Sequence, residues 1–463
     1  MYNEIFDLVV IGSGPAGEGG AIQAAKLGKK VLLIEQKTFF GGSSLNSGTI
    51  PSKCLREAIL DLTGFYERSF YGYKVSLDKV SISDLNYRFK KVVDKQRQAL
   101  IDRFKRNHIQ TINGKARFID THHVMIEREN HQEPLVIESK YFLIATGSKP
   151  RHPIYVPFDQ KTILDTNTIL NIERLPKNLL VLGGGVVGSE YGSFFATLGA
   201  KVTVADKKSH LLSFLDREIS DHLQTLLKEQ NLEVFGHKEP QRIEKNGESV
   251  DVYFNDGSHL SADMLLYAVG REANVDFLDI DKIGIELDSY GNLPVNPLFQ
   301  TLLPHIYAAG DVIGRPSLAS TSLEQGRLVA RHAFGDEVHY FPSFFPIGIY
   351  TIPEISCCGY TEEDLKKKGF NYGVGRGFYE EIARNQIAGN DPGMFKILFH
   401  NETLEILGVH IIGRQAAELI HIGQIAMSFG AKVDYFIEHV FNYPTYAEGY
   451  RIAALNGLNK IRK

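Results

Sequence analysis

The stretch Leu8-Val9-Val10-Ile11-Gly12-Ser13-Gly14-Pro15-Ala16-Gly17 decides the fold, because four apolar residues of a buried strand run straight into a Gly-x-Gly-x-x-Gly turn. Ala21, Ala24, Ala25 and Leu27 continue the turn as a small-residue helix, and a second apolar strand, Val31-Leu32-Leu33-Ile34, ends on Glu35. Each part has a mechanical reason: the first glycine makes the tight turn, the second lets backbone reach a pyrophosphate, and the third packs helix on sheet. The helix N-terminus attracts phosphate, and the terminal carboxylate binds a ribose hydroxyl. The glycines alone fit any strand-turn-helix; Glu35 in its place turns the reading to a dinucleotide unit.

The pattern recurs. Gly183-Gly184-Gly185-Val186-Val187-Gly188 follows Leu179-Leu180-Val181-Leu182, and the strand Val202-Thr203-Val204-Ala205 ends on Asp206. The offset of 171 residues holds without a gap, since Leu27 and Gly28 map to Leu198 and Gly199, Lys30 to Lys201 and Glu35 to Asp206. Two such units mean two dinucleotides, or one and a relic. Asp206 suits a free ribose 2′-hydroxyl, whereas the next residues, Lys207 and Lys208, either meet a 2′-phosphate or face solvent.

At 463 residues the chain is too long for one core and is expected to form three or four domains. A net charge of −4 gives no reason to expect nucleic acid or an anionic membrane as partner. Three cysteines, of which Cys357 and Cys358 are adjacent, make no extracellular disulfide framework, and adjacent cysteines strain to bridge; all three are read as packed thiols. The 16 histidines show no metal-ligand spacing, so no metal is expected. No apolar run approaches the roughly 20 residues of a membrane span. The first strand begins too near Met1 for a secretory signal, and the expected location is cytoplasmic. From Asp84 to His108 a helix is predicted that buries Leu85, Phe89, Val92, Val93, Leu100, Ile101 and Phe104. Its other face, with Lys90, Lys91, Lys95, Arg97, Arg103, Lys105 and Arg106, reads as solvated.

Four further segments stand in fixed order around the two units. They are the loop Gly41-Gly42-Ser43-Ser44-Leu45-Asn46-Ser47-Gly48-Thr49-Ile50-Pro51-Ser52-Lys53; the strand Tyr141-Phe142-Leu143-Ile144-Ala145-Thr146-Gly147-Ser148; the strand Ile306-Tyr307-Ala308-Ala309-Gly310-Asp311; and Phe441-Asn442-Tyr443-Pro444-Thr445-Tyr446-Ala447-Glu448. With the two units they resemble, over essentially the whole chain, the FAD-dependent pyridine nucleotide–disulfide oxidoreductases.

That resemblance implies an α/β fold with two Rossmann-like dinucleotide-binding folds and an α+β C-terminal dimerisation domain. It places an FAD-binding domain at 1–149, a NAD(P)-binding domain at 150–270, a central part completing the FAD site at 271–345 and a dimer-interface domain at 346–463. Implied FAD contacts are Gly12, Gly14, Ala16, Gly17, Glu35, Gly42, Ser43, Ser44, Thr49, Lys53, Ala116, Thr146, Gly147, Asp311, which binds the ribityl chain, and Ala319. Implied NAD(P) contacts are Gly183, Gly185, Val186, Val187, Gly188, Glu190, Asp206, Lys207, Lys208 and Gly270. Lys53 approaches the reactive edge of the flavin and pairs with Glu190, where a positive charge stabilises the negative charge that builds as hydride arrives. A homodimer is implied, with the active site completed by Tyr443 and Glu448 of the other subunit's C-terminal domain.

Two departures narrow the chemistry. Both cysteines of the family's redox loop are replaced, by Ser44 and Thr49, and hydroxyls form no covalent two-electron couple. Tyr443 stands where the family has the histidine that handles thiol protons, and a phenol near pKa ≈ 10 is a poor shuttle at neutral pH. The dithiol machinery is absent at both ends. Gly48-Thr49-Ile50-Pro51-Ser52-Lys53, Gly348-Ile349-Tyr350-Thr351-Ile352-Pro353-Glu354-Ile355-Ser356, and the end from Asn442 through Asn459 are most similar to the branch that exchanges hydride between NADP(H) and NAD(H). The expected function is therefore reversible transhydrogenation through FAD, with both nicotinamide nucleotides as substrates in one pocket. Open alternatives are an NAD(P)H:acceptor flavin reductase and a non-catalytic nucleotide-binding paralogue.

Overall fold

Period-two alternation in the strands sets the layers. In the computed structural model, which describes residues 4–66, 80–128, 133–338 and 341–461, β1 (Phe6–Ile11) leads into α1 (Pro15–Lys26) and β2 (Val31–Glu35). The loop helix α2 (Gly42–Asn46), then α3 (Thr49–Thr63) and α4 (Ile82–Arg106), precede β3 (Gln110–Asn113), β4 (Lys115–Phe118), β5 (His123–Glu127) and β6 (Leu135–Ile144). α4 begins where Ser81 and Asp84 cap each other reciprocally, and it stops at Arg106, with His108 in the left-handed region at φ 53°.

The chain divides into two compact units. The first comprises 1–54, 87–151 and 270–342; the second, 55–86, 152–269 and 343–463. The core of the first is a sheet ordered β3-β2-β1-β6-β5-β4, parallel from β3 to β6 and antiparallel beyond. Leu8, Val10, Val31 and Leu33 face the helical side; Val9, Ile11, Leu32 and Ile34 face a second cluster with Phe118, Ile126 and Ile137. Burying these aliphatic side chains stabilises each face by about 1.5–3 kcal/mol per residue.

In the second unit, β7 (Ile163–Asp165), β8 (Asn178–Leu182), α5 (Val186–Thr197), β9 (Lys201–Ala205), α6 (Arg217–Glu229), β10 (Leu232–Phe235) and β11 (Met264–Tyr267) repeat the arrangement. The sheet is all parallel, ordered β10-β9-β8-β11-β7. Leu179 and Val181 point to one cluster, with Phe194 and Phe195 of α5, while Leu180 and Leu182 point to another.

The chain then returns to the first unit, where β12 (Ile306–Ala308) joins β6 in parallel and α7 (Ala319–Ala333) packs on α1. The two helices touch backbone to backbone: a Cβ at Gly326 would lie 1.9 Å from the Ala16 carbonyl oxygen.

The remainder of the second unit is an α+β layer. β13 (Ile347–Ile349), β14 (Ile355–Gly359), α8 (Glu362–Lys368), β15 (Tyr372–Phe378), β16 (Met394–His400), β17 (Ile406–Ile412), α9 (Ala416–Ser428) and α10 (Glu448–Ile461) form an antiparallel sheet ordered β13-β14-β17-β16-β15 under α9 and α10. α10 lies directly on β15 because Gly375 and Gly377 clear its path; a Cβ at Gly375 would sit 2.1 Å from the Ala453 carbonyl oxygen.

Candidate functional site

Gly12 has φ +106° and lies so close to β6 that a Cβ would meet the Ala145 carbonyl oxygen at 2.4 Å. Gly17 faces back on the turn, its Cβ position 1.9 Å from the Gly12 carbonyl oxygen. Glu35, buried at the end of β2, uses both carboxylate oxygens: Oε2 accepts from Ser13 N (3.1 Å) and from the Ser13 hydroxyl, Oε1 from Lys37 N (2.9 Å). Ser13 Oγ in turn accepts from Gly41 N at 2.8 Å. A side chain of the fingerprint that sequence reasoning passed over thus ties the turn, the acid at the end of β2 and the start of the loop together.

The loop is seated on the same turn. Gly42, φ +58°, approaches so closely that a Cβ would stand 2.7 Å from Gly14 Cα. Ser43 and Ser44 follow in α2, half-buried; Thr49 is exposed at the first position of α3. Lys53, one turn into α3, donates from Nζ to Ser52 Oγ at 3.3 Å. Beyond β6 the buried Thr146 Oγ1 has no protein partner, and within the loop neither has Ser47 Oγ. Gly147 turns at φ +68°, and Ser148 Oγ donates to Asp311 Oδ2 at 3.0 Å while accepting from Arg271 Nε at 2.8 Å. Ala16 lies in the first turn of α1 and Ala319 starts α7, helices packed on each other, while Ala116 is buried in β4 on the opposite face of the sheet. Two orphaned hydroxyls, a backbone cradle too tight for side chains and an acid fixed at the end of β2 suit a polar dinucleotide.

The second unit repeats this geometry. Gly183 has φ +104°, and a Cβ there would lie 2.6 Å from the Ala268 carbonyl oxygen; Gly188 repeats the 1.9 Å approach, to the Gly183 oxygen. Around Gly185 a Cβ would find nothing within 4 Å, so the turn opens on free space ahead of Val186 and Val187. Asp206 accepts from Gly184 N and, at 2.6 Å, from Lys208 N. Lys207 and Lys208 are exposed. Their turn is braced by the loop after β10, where Lys238 N donates to Asp206 O at 2.9 Å and a Cβ on Gly236 would be 2.7 Å from Ser209 Cα. Glu190 is buried in α5, and Oε1 accepts from Tyr350 N at 2.9 Å; Ser193 Oγ accepts from Ile352 N at 3.2 Å. Gly270, φ +87°, belongs to the first unit.

In the C-terminal layer Tyr443 is 72% exposed, and Glu448 begins α10 with Oε2 buried and unpartnered. Burial pushes the Cys357 thiol up to about 12 and Cys358 to about 11, so both stay protonated at neutral pH. Among the described residues one carboxylate group is close enough to share a cation, Asp216, Glu218 and Glu362, and the Lys396 ammonium already sits in it. Among them, too, no helix is long and apolar enough to cross a membrane.

A family described as pyridine nucleotide-disulphide oxidoreductase matches residues 6–326, and its dimerisation domain matches 345–454. Relatives from Mycobacterium tuberculosis and Vibrio cholerae, each named soluble pyridine nucleotide transhydrogenase, are 43% identical over 459 and 460 residues, covering 98–99% of this chain and 98% of each relative. Among solved structures, the HOCl-induced flavoprotein disulfide reductase RclA from Escherichia coli aligns with TM-score 0.86 at 27% identity, covering 97% of this chain and 99% of that one. LpdA from Mycobacterium tuberculosis aligns with TM-score 0.89 at 25% identity, over 97% and 99%.

Proposed function

The chain belongs to the pyridine nucleotide-disulphide oxidoreductase family, and on that footing we propose that it is an FAD-dependent transhydrogenase that moves hydride reversibly between NADP(H) and NAD(H). One observation carries the choice within the family: the loop seated on the flavin-side turn bears hydroxyls, Ser44 and Thr49, where a disulfide reductase needs two sulfurs.

Bound FAD supplies a reversible two-electron carrier. The protein supplies binding and electrostatics. Glu35 and the N-terminus of α1 hold ribose and pyrophosphate, Asp311 the ribityl chain, and Lys53 the charge that favours hydride arrival. In the nicotinamide fold, Asp206 serves a free ribose and Lys207 with Lys208 a 2′-phosphate, which is what a pocket for both nucleotides requires. Residues 150–270 read the nicotinamide nucleotide and 346–463 form the interface. The chain works as a cytoplasmic homodimer in which the exposed Tyr443 and neighbouring Glu448 complete the other subunit's site. Tyr443 acts there as a wall and hydrogen-bonding phenol rather than as a proton shuttle.

The test mixes the yellow protein with NADPH and thio-NAD and follows acceptor reduction, before and after thiol alkylation. Thio-NAD reduction faster than that of quinones or dyes, with little loss on alkylation, is the expected result. Dyes outrunning thio-NAD would assign a flavin reductase, a colourless protein would assign the non-catalytic reading, and loss of turnover on alkylation would return the mechanism to a thiol.

A further inference from the structure

Arg97 lies on the helix face that composition reads as solvated, yet its side chain is only 20% exposed. Its guanidinium covers the Phe39 ring at 4.1 Å, just before the loop, and Nε donates to Asn46 Oδ1 at 2.8 Å, inside it. Asn46 commits both Nδ2 protons, to the carbonyl oxygens of Phe40 (3.0 Å) and Gly42 (2.9 Å). Gly42 is the residue pressed on Gly14. The chain of contacts therefore runs from α4 through Arg97 and Asn46 to the backbone that closes the dinucleotide turn. α4 reinforces it at two more points, with Phe104 edge-on to Phe40 at 6.1 Å and Arg103 Nη2 2.8 Å from Glu18 Oε1 in the first turn of α1.

No covalent bridge spans this loop, and two consecutive residues with positive φ, Gly41 and Gly42, make its entry easy to deform. We propose that Arg97 and Asn46 are positioning residues for FAD, a polar clamp that holds the loop on the fingerprint turn. Arg97, itself paired with Asp94 at 3.2 Å, acts on the loop through Asn46 and through the Phe39 ring it covers, and Asn46 acts through the Phe40 and Gly42 carbonyls. The inference rests on the flavin-binding half of the reading above and is independent of transhydrogenation.

The holoenzyme is tested as purified, with Arg97→Ala, Asn46→Ala and the double variant. Readouts are the rate at which FAD fluorescence appears on dilution, the visible circular dichroism of bound flavin, and the melting of apoprotein and holoprotein separately. Losing a charge-assisted hydrogen bond is expected to speed FAD release by about tenfold or more. The double variant should fall short of the summed effects of the two single ones, because both remove the same Arg97–Asn46 hydrogen bond. Arg97→Lys should not rescue, since an ammonium neither stacks nor donates in the guanidinium plane. Asn46→Asp should stay fast, because it keeps the acceptor for Arg97 and loses both donors. Unchanged release and dichroism in Arg97→Ala, additive effects in the double variant, or equal loss of melting temperature in apoprotein and holoprotein would each overturn the proposal. Flavin retention is read without nicotinamide nucleotides, so a protein that fails as a transhydrogenase leaves this result standing.

Discussion

Lys396→Met removes a charge from the most deeply buried ion cluster described and keeps the aliphatic stem. Lys396 is fully buried, and Nζ lies 2.7 Å from Asp216, 2.9 Å from Glu218 and in contact with Glu362. Arg376 Nε and Nη2 add a fork onto Glu218 at 2.6 and 2.8 Å, and Asp216 also caps α6 through Glu218 N at 3.1 Å. Without the lysine, Glu218 keeps Arg376 and Glu362 keeps the exposed Lys366 at 3.5 Å, while the fully buried Asp216 loses its ammonium partner. Stripping one partner from a buried pair costs about 3–5 kcal/mol, because the desolvated charge left behind is uncompensated. At roughly 2–4 °C per kcal/mol, the melting temperature should fall by on the order of 10 °C.

The pH dependence supplies the sharper test. Burial alone would raise Asp216, Glu218 and Glu362, but His410 and then the lysine at Asp216, Arg376 and then the lysine at Glu218, and the lysine at Glu362 hold all three below the usual carboxylate range. Depressed carboxylates stabilise the fold above their unfolded pKa values, and that stability is lost as pH falls through the folded ones. Burial would lower Lys396, yet its carboxylate partners hold it above the ordinary lysine value. Its contribution is therefore complete below about 10.4 and lost as pH rises through the folded value. The gap between wild type and Lys396→Met should be widest near neutrality and narrow towards pH about 4, as the stranded carboxylates take up protons. Adding Asp216→Asn, which keeps a capping oxygen, should recover part of the loss. Thermal melts of the apoprotein from pH 4 to 8 would measure it; equal stability at pH 7, or a gap that stays constant with acid, would refute the argument.

Lys53→Ala should retain FAD but slow flavin reduction by ~10²-fold, the usual cost of one preorganised charge interaction, and stopped-flow rates would measure it. Lys207→Ala with Lys208→Ala should weaken NADPH much more than NADH, since at about 4 Å and an effective dielectric near 20 one charge pair is worth roughly 4 kcal/mol before desolvation. Direct binding constants for both nucleotides, at two salt concentrations, decide this, and equal losses would place the phosphate reader elsewhere.

What was legible in the sequence is what is local. The two strand-turn-helix units, with Gly12, Gly183, Glu35 and Asp206, follow from glycine spacing and apolar period, and the structure puts both acids onto the backbone of their own turns. Partners far apart in the chain left no such signal. Glu190 is held by Tyr350 N, 160 residues on, and Lys396 meets Asp216 across 180 residues. Arg97 read as one more charge on a solvated face because nothing at positions 90–106 announces Asn46, 51 residues earlier. Ser13 was hidden in plain view, occupying a position that the fingerprint leaves free while its hydroxyl links acid, turn and loop.

The third glycine of each turn has one further use. At Gly17 and at Gly188 an added Cβ would meet the same atom, the carbonyl oxygen of the turn's first glycine, at the same 1.9 Å, and beyond it a valine Cγ1, of Val10 at 3.2 Å and of Val181 at 3.1 Å. The molecule thus carries its own matched control. Alanine placed at either position imposes one identical insult on two pockets, so the geometric penalty cancels when the two variants are compared. Whatever difference remains between them reports how much each pocket's nucleotide can repay, measured inside a single chain under a single set of conditions.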